Sequence, residues 1–217
     1  MITFNSLLTK LTLVALVVFT CNSTQIVAQN KKAVATEKKD PKRFFDKADL
    51  MQIGVYYYPE QWPREQWDRD LKNIKKLGFE FTHFAEFAWT FMEPEEGKYD
   101  FKWLDEAMAI AEKEGLKVIL CTPTPTPPAW MGDKYPEIYL VDSKGNRRQH
   151  GNRANISVTN EKYREFTAKI VTELGKRYGK NKNVIGWQID NEPLSTEDFS
   201  PSARTAFQIW LKAKYGT

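Results

Sequence analysis

The residues best suited to chemistry are three consecutive polar side chains, Asp190, Asn191 and Glu192, which Pro193 follows. They come directly after the apolar run 184–189, whose composition and length predict a short buried strand. A carboxylate beside a carboxamide at the end of a buried parallel strand is the layout of a barrel active site, because such barrels carry their chemistry at the C-terminal ends of the strands. An ordinary strand-to-helix turn explains the same residues, and their spacing alone does not separate the two interpretations.

Four strands are predicted, and each is followed by a helix. The β-rich runs cover 52–58, 80–86, 117–122 and the stretch that begins at Val184. The second, third and fourth helices are predicted at about 103–114, 160–178 and 200–215. The first opens at Trp62-Pro63 and repeats apolar residues at three- and four-residue steps, namely Trp67, Leu71, Ile74 and Leu77. In the second helix, the residues predicted to face inward are Leu104, Ala107, Met108 and Ala111.

Strand–helix units repeated with long crossovers predict parallel pairing in an α/β fold. Two architectures fit, an open doubly wound sheet and the first four units of a (β/α)8 TIM barrel. No Gly-rich phosphate loop follows any strand, which argues against a nucleotide site. The strand ends instead carry Tyr58-Pro59-Glu60, Glu86, a proline-rich loop at 123–128 and Asn191-Glu192. Carboxylates and aromatic rings at successive strand ends favour the barrel and a sugar ligand, because aromatic faces pack on the apolar faces of pyranose rings.

The predicted domain organisation has three parts. Residues 1–28 read as a signal peptide, since Lys10 precedes an apolar run that is short for a bilayer span. Cleavage near Ala28 is favoured over a lipoprotein site at Cys21, where lipid would anchor the chain to a membrane. Residues 29–47 form a basic linker, and 48–217 form the N-terminal half of a catalytic barrel that needs about 250 residues when whole. An exported protein, periplasmic or extracellular, is therefore expected.

The charge distribution gives no reason to expect a nucleic acid partner. The formal net charge is +4, but residues 31–47 contribute seven basic and three acidic side chains. Residues 48–217 hold 24 basic and 25 acidic side chains, so the predicted domain is close to neutral. After cleavage near Ala28 only Cys121 would remain, so no disulfide within the chain is predicted. His83 is predicted to be a hydrogen-bonded core residue and His150 to face solvent, and no metal or other cofactor is expected.

Five groups of residues in the same order resemble glycoside hydrolase family 42, the β-galactosidases, and the resemblance covers about 52–217. The groups are YYPEQWP at 57–63, EFAW at 86–89 with EPEEGKYDF at 93–101, TPPAWM at 126–131, GNR at 151–153 and GWQIDNE at 186–192. Each group alone is a weak signal, whereas five in order are a strong one. The resemblance implies a TIM barrel and a retaining mechanism that uses two carboxyl groups about 5–5.5 Å apart.

The resemblance also implies roles for individual residues. Glu192 matches the general acid/base, Asn191 matches the ligand of the sugar 2-hydroxyl, and Arg153 matches an arginine of the terminal galactose subsite. The nucleophile of the family is a second Glu near the end of the seventh strand, which is predicted to lie outside this chain. Further contacts with substrate are predicted for Glu86, Trp89 and Trp130, although each of these also suits a structural role. Tyr57 and Glu60 are predicted at the rim of the site.

Two departures from the family pattern affect these expectations. Many members bind a structural zinc through cysteines, and Ser157 stands in the first cysteine position, with no cysteine at 193–217. No zinc is therefore predicted. Pro193-Leu194 follows the Glu where the family usually has Tyr-Gly, which changes the wall of the predicted pocket.

The function predicted is hydrolysis of terminal β-D-galactosides of oligosaccharides or polysaccharides by a retaining, exo-acting enzyme. The chain alone is predicted to be an inactive N-terminal fragment, and the complete protein to be a trimer, as the family often is. Two alternatives remain open at this point. One is a non-catalytic carbohydrate-binding remnant, and the other is a related glycosidase, such as an arabinopyranosidase or a galactan hydrolase.

Overall fold

The computed structural model describes residues 52–151, 153–193 and 197–216. The predicted signal peptide at 1–28, with Cys21, and the linker at 29–47 lie outside the described residues, as do Asn152 and Leu194. Within the described ranges, no helix combines the length and the apolar character that crossing a membrane requires.

Four parallel strands form a single sheet in the order β1-β2-β3-β4. Their bounds are Gly54–Tyr56, Phe81–Phe84, Lys117–Cys121 and Val184–Gln188. The registers pair Tyr56 with His83, His83 with Ile119, and Cys121 with Gln188. A doubly wound sheet reverses its winding direction at a switch point, whereas this sheet winds in one direction throughout. The architecture is therefore that of the first four β/α units of a (β/α)8 barrel, as the sequence predicted.

The connections hold six α-helices in the described part of the chain. They are α1 (Trp67–Lys76), α2 (Trp89–Met92), α3 (Lys102–Lys113), α4 (Ala129–Lys134), α5 (Glu161–Tyr178) and α6 (Pro201–Tyr215). Short 3₁₀ turns cover Pro59–Gln61, Arg64–Gln66 and Pro136–Ile138. The predicted second, third and fourth helices are α3, α5 and α6, and each starts within a residue of its predicted position.

Capping explains why α5 and α6 begin where they do. The Asn160 side chain accepts a hydrogen bond from the Tyr163 amide, and Ser200 accepts one from the Ala203 amide.

The prediction that the first helix opens at Trp62-Pro63 is wrong, because two 3₁₀ turns precede α1. Pro63 is extended at ψ 137°, and the Trp67 indole donates to the Trp62 carbonyl at 3.1 Å, which closes this compact turn.

The core lies between the sheet and the helices that cover it. Val118 and Leu120 of the central strand β3 are fully buried, together with Leu71 of α1 and Ile170 of α5. The prediction for the inward face of α3 is confirmed, since all four of its residues are buried: Leu104, Ala107, Met108 and Ala111. Burial of these apolar side chains is the main source of stability for the four β/α units.

The prediction of a strand is confirmed for 184–188, but the prediction that it is buried is wrong, since no residue of 184–189 is fully buried. Ile185 is 45% exposed and Ile189 is 71% exposed, because β4 has a neighbouring strand on one side only in the described sheet. Helix α6, which follows β4, has no buried residue. Leu77, predicted to face the core, caps the C-terminus of α1 and is 77% exposed.

Candidate active site

The turn that follows β4 carries the three polar residues on a strained backbone. Asp190 and Glu192 both have positive φ angles, 60° and 42°, which are uncommon for residues other than glycine. Two threonines from the loop after β3 fix this turn. The Asp190 amide donates to Thr122 Oγ1 at 2.8 Å, and Thr124 Oγ1 donates to Asp190 Oδ2 at 2.7 Å. The neighbouring strand ends therefore impose a conformation that the local sequence would not adopt by itself.

A cleft of about 470 Å³ opens beside this turn and brings together three predicted site residues, Arg153, Asn191 and Glu192. Arg153 Nη2 lies 2.8 Å from Glu192 Oε2, and the two side chains are 50% and 63% exposed. An ion pair this exposed adds little to stability, so its main effect here is to orient the two groups. Opposite them, Tyr163 of α5 lines the wall of the cleft and donates its hydroxyl to the Thr124 carbonyl at 2.7 Å.

A second cleft of about 420 Å³ shares Arg153 with the first. Phe87, Thr126, Tyr139 and His150 contribute to its lining, and His150 is exposed, as predicted. The Arg153 guanidinium lies 6.0 Å from the centroid of the Phe87 ring, within cation–π distance. The two clefts thus offer charged, hydroxyl and aromatic groups side by side, a combination that suits a polyhydroxylated ligand with apolar faces.

The Gln188 side chain joins the strand ends beneath the first cleft. Its Nε2 donates to Glu86 Oε1 at 3.0 Å and to the Asp190 carbonyl at 3.2 Å. Its Oε1 accepts from the Tyr56 hydroxyl at 2.7 Å and lies 3.1 Å from His83 Nδ1. His83 is hydrogen-bonded, as predicted, but it is half-buried and does not belong to the core. Burial lowers its pKa, against the opposing effects of Gln188 and Glu86.

Glu86, Trp89 and Trp130 do not line either cleft. Glu86 is 4% exposed and accepts a hydrogen bond from the Tyr58 hydroxyl at 2.6 Å, in addition to the bond from Gln188. Trp89 is fully buried and donates to Glu93 Oε2 at 2.8 Å, which makes it a core residue. Trp130 is half-buried, and its indole donates to the Glu93 carbonyl at 2.8 Å. Of the three, only Glu86 is linked to the turn after β4, through its hydrogen bond with Gln188.

The two residues predicted at the rim lie below the surface. Tyr57 is 8% exposed and donates to Asp70 Oδ2 at 3.0 Å, so it belongs to the core. Both carboxyl oxygens of Glu60 are inaccessible to solvent, and no other described residue donates a hydrogen bond to them. Burial raises the pKa of Glu60 to about 7; its own backbone amide opposes the rise, and the nearby Glu86 carboxylate adds to it.

Sequence reasoning missed the residues that shape the turn, namely Gln188, Thr122, Thr124 and Tyr163. One signal was present, since Gln188 is a polar side chain inside an apolar strand and therefore requires partners. Among the described residues, no group of three or more His, Cys, Asp or Glu side chains could hold a metal ion. Cys121 is a buried free thiol, and burial raises its pKa to about 12, with smaller contributions from Glu86 and Glu60.

Residues 56–217 match the model of glycoside hydrolase family 42, described as beta-galactosidase. The chain belongs to this family. Family 42 relatives include the beta-galactosidase BgaA of a Thermus species and the beta-galactosidase of Thermus thermophilus. Each is 45% identical over 168 residues, a region that covers 76% of this chain and 26% of the relative.

Solved structures of beta-galactosidases resemble the described fold. The enzyme from the psychrophilic Marinomonas ef1 superposes with a TM-score of 0.74 at 38% identity, covering 77% of this chain and 26% of that one. The enzyme from Halorubrum lacusprofundi superposes with a TM-score of 0.73 at 41% identity, covering 76% and 25%. The chain therefore spans about a quarter of the length of these family 42 proteins.

Proposed function

We propose that this chain supplies the acid/base side of a retaining, exo-acting β-galactosidase active site. Glu192 acts as general acid/base, Asn191 binds the 2-hydroxyl of the terminal galactose, and Arg153 binds hydroxyls of the same sugar. The observation that carries the proposal is that these three side chains line a single cleft, with Arg153 Nη2 2.8 Å from Glu192 Oε2. Membership of family 42 supports the choice of β-galactosides as substrates.

The proposed chemistry proceeds in two steps. A carboxylate nucleophile attacks the anomeric carbon while Glu192 gives its proton to the departing glycosidic oxygen, which leaves as an alcohol. Glu192 then removes a proton from water, the resulting hydroxide displaces the nucleophile, and galactose leaves with retained configuration. Asn191 stabilises both transition states through its bond to the 2-hydroxyl.

The ion pair with Arg153 bears on the first step. A general acid must face the glycosidic oxygen, whereas Glu192 Oε2 here faces Arg153 Nη2 at 2.8 Å. We propose that bound sugar hydroxyls draw Arg153 away from Glu192, so that Glu192 turns to the leaving oxygen only when substrate is present. The exposure of both side chains, 50% and 63%, leaves room for this movement.

The nucleophile is proposed to come from a strand outside these 217 residues, so the chain by itself should not turn over substrate. Activity is best tested in a chimera in which residues 56–216 replace the matching segment of the Thermus beta-galactosidase BgaA, which is 45% identical. Glu192→Ala in the chimera should slow lactose hydrolysis on the order of 10²–10⁴-fold, because a poor leaving group needs a proton. An activated aryl galactoside needs no such proton, so its glycosylation step should slow much less.

Azide separates the acid/base role from other roles. In Glu192→Ala the glycosyl-enzyme should accumulate for want of a base, and azide should restore turnover and give a product of retained configuration. Asn191→Ala is the matched control, since loss of a transition-state contact should slow both substrates alike, without azide rescue. Equal losses on both substrates and no rescue in Glu192→Ala would rule out the acid/base assignment.

A further inference from the structure

Three serine hydroxyls from two distant segments meet beneath the start of α6. Ser157 Oγ lies 3.2 Å from Ser200 Oγ and 2.9 Å from Ser202 Oγ, and the last two are 2.9 Å apart. Ser157 and Ser200 are fully buried, while Ser202 is half-buried. Ser157 Oγ also lies 3.1 Å from Thr159 Oγ1, and each hydroxyl of this cluster has one proton to donate and two lone pairs with which to accept.

Ser157 stands where many family members begin a cysteine set for zinc, and it contacts Ser200 and Ser202 of the segment after the Asn-Glu motif, where those members carry the other cysteines. The residues do not fit zinc. Tetrahedral sites hold thiolate sulfurs about 3.8 Å apart around the metal, given zinc–sulfur bonds of about 2.3 Å. The three serine oxygens are 2.9–3.2 Å apart, which suits hydrogen bonds between neutral hydroxyls.

The Asp198 carboxylate lies next to the serine cluster and connects it to the backbone at Val141. Asp198 Oδ1 accepts hydrogen bonds from the Ser200 amide at 2.9 Å and from the Val141 amide at 3.2 Å. Burial acts to raise the pKa of Asp198, but hydrogen bonds from the Ser157 hydroxyl and from these two amides outweigh it and hold the pKa below its usual value. The Phe199 amide also donates to the Val141 carbonyl at 2.8 Å.

We propose that Ser157, Ser200 and Ser202 form a metal-free clamp that takes the place of the family's zinc site. The clamp fastens the segment after Arg153 to the N-terminus of α6, because Ser157 lies four residues beyond Arg153 and Ser200 is the N-cap of that helix.

The first test uses hydroxyl deletions in the 217-residue chain. Ser157→Ala and Ser202→Ala should each lower Tm by about 2–4 °C, the shift expected for the loss of one hydrogen bond in a domain of this size. The double variant should lose less than the sum of the two, because both hydroxyls serve the same partners. Hydrogen exchange should quicken at 197–216 in both variants. Ser143→Ala, at an exposed turn, is the control and should change neither quantity.

Additive losses, or unchanged exchange at 197–216, would mean that the serines act separately and would overturn the clamp. Ser202 is only half-buried, so its variant keeps the test decisive if Ser157→Ala does not fold.

The second test reverses the replacement. The chain purified without metal-affinity resin should contain well under one zinc and should give no thiolate–cobalt absorption with Co²⁺. The variant Ser157→Cys/Ser200→Cys/Ser202→Cys should gain that absorption and a Tm that rises with zinc and falls with a chelator. Ser143→Cys, added to the same native cysteines, should gain neither. Chelator-resistant zinc in the unsubstituted chain, or no cobalt binding by the triple variant, would refute the inference.

Discussion

Glu60 combines a buried carboxyl group with a lack of hydrogen-bond donors from other described residues. Its carboxyl oxygens are out of contact with solvent and lack a donor from any other described residue. Burial, opposed by its own backbone amide and reinforced by Glu86, raises its pKa to about 7, from an ordinary value of 4.5. The fold therefore holds Glu60 in its protonated form over a pH range in which the unfolded chain ionises it.

Glu60→Gln is expected to stabilise the 217-residue chain at pH 8 and to leave it unchanged at pH 4. Below 4.5 both states of the wild type are protonated, so the wild type is fully stable there. Between 4.5 and 7 the unfolded state releases its proton while the folded state keeps it, so wild-type stability falls across that window. The difference between the folded pKa of about 7 and the unfolded value of 4.5, at about 1.4 kcal/mol per unit, limits the gain from Glu60→Gln to at most about 4 kcal/mol.

Urea unfolding of Glu60→Gln and wild type at both pH values measures this difference. Glu65→Gln, an exposed position on the same connection, is the control and should track the wild type at each pH. A Glu60→Gln variant that is less stable than wild type at pH 8 would show that the carboxyl group is needed there in its charged form.

Site residues differ in how far the sequence predicts them. Arg153, Asn191 and Glu192 are predicted by motifs, and the fold brings all three to one cleft. Trp89 and Glu86 belong to equally clear motifs but are buried, because burial depends on what packs over a strand end and not on the residue type alone. The left-handed turn at Asp190 is set by Thr122 and Thr124 from the loop after β3, which no local pattern contains.

At the scale of elements, local signals predicted the helices with strong caps and missed the start of α1. Asn160 and Ser200 are side-chain caps that mark α5 and α6 in the sequence itself. Pro63 resembles the first residue of a helix but is an extended residue that precedes a 3₁₀ turn, a distinction that depends on packing of Trp67 against the Trp62 backbone. The apolar composition of β4 predicted a strand correctly, yet it could not tell whether both its sides are covered.

The cap of α5 is expected to contribute measurably to stability. Asn160 is 6% exposed, accepts from the Tyr163 amide at 2.9 Å and donates to the Glu137 carbonyl at 3.1 Å. Asn160→Ala removes both bonds and should lower the free energy of unfolding by about 2–3 kcal/mol. Asn160→Asp keeps the cap but not the donor, so it should lose about half as much. Chemical denaturation of the three proteins gives the ranking, and equal losses for Ala and Asp would assign the effect to the Glu137 contact.

At the scale of the whole molecule, the described sheet has two strand edges without a partner, one on β1 and one on β4. Exposed apolar side chains accompany them, including Ile53 at 62%, Ile185 at 45% and Trp210 of α6 at 49%. Unpaired edges flanked by apolar surface favour association between chains. In the relatives, which are about three times as long, additional chain is available to cover such edges.

The 217-residue chain produced by itself should therefore associate as its concentration rises. Ile185→Lys places a charge on the β4 edge and should shift the sedimentation-velocity distribution towards the monomer. Leu77→Lys is the matched control, because Leu77 is 77% exposed but lies at the end of α1, away from both edges. A monomeric wild type at every concentration, or equal effects of the two substitutions, would contradict this expectation.

The positive φ of Glu192 links folding to selection on this gene. At 42° the backbone suits glycine, so a longer side chain there costs the folded state about 1 kcal/mol. Glu192→Gly should be more stable than Glu192→Ala by that amount in denaturation experiments, while both lack the carboxyl group. Stability alone would thus favour replacement of Glu192 by glycine, and only a need for the carboxyl group opposes that replacement. The residue found there in closely related genomes is therefore a record of whether the chemistry is still in use.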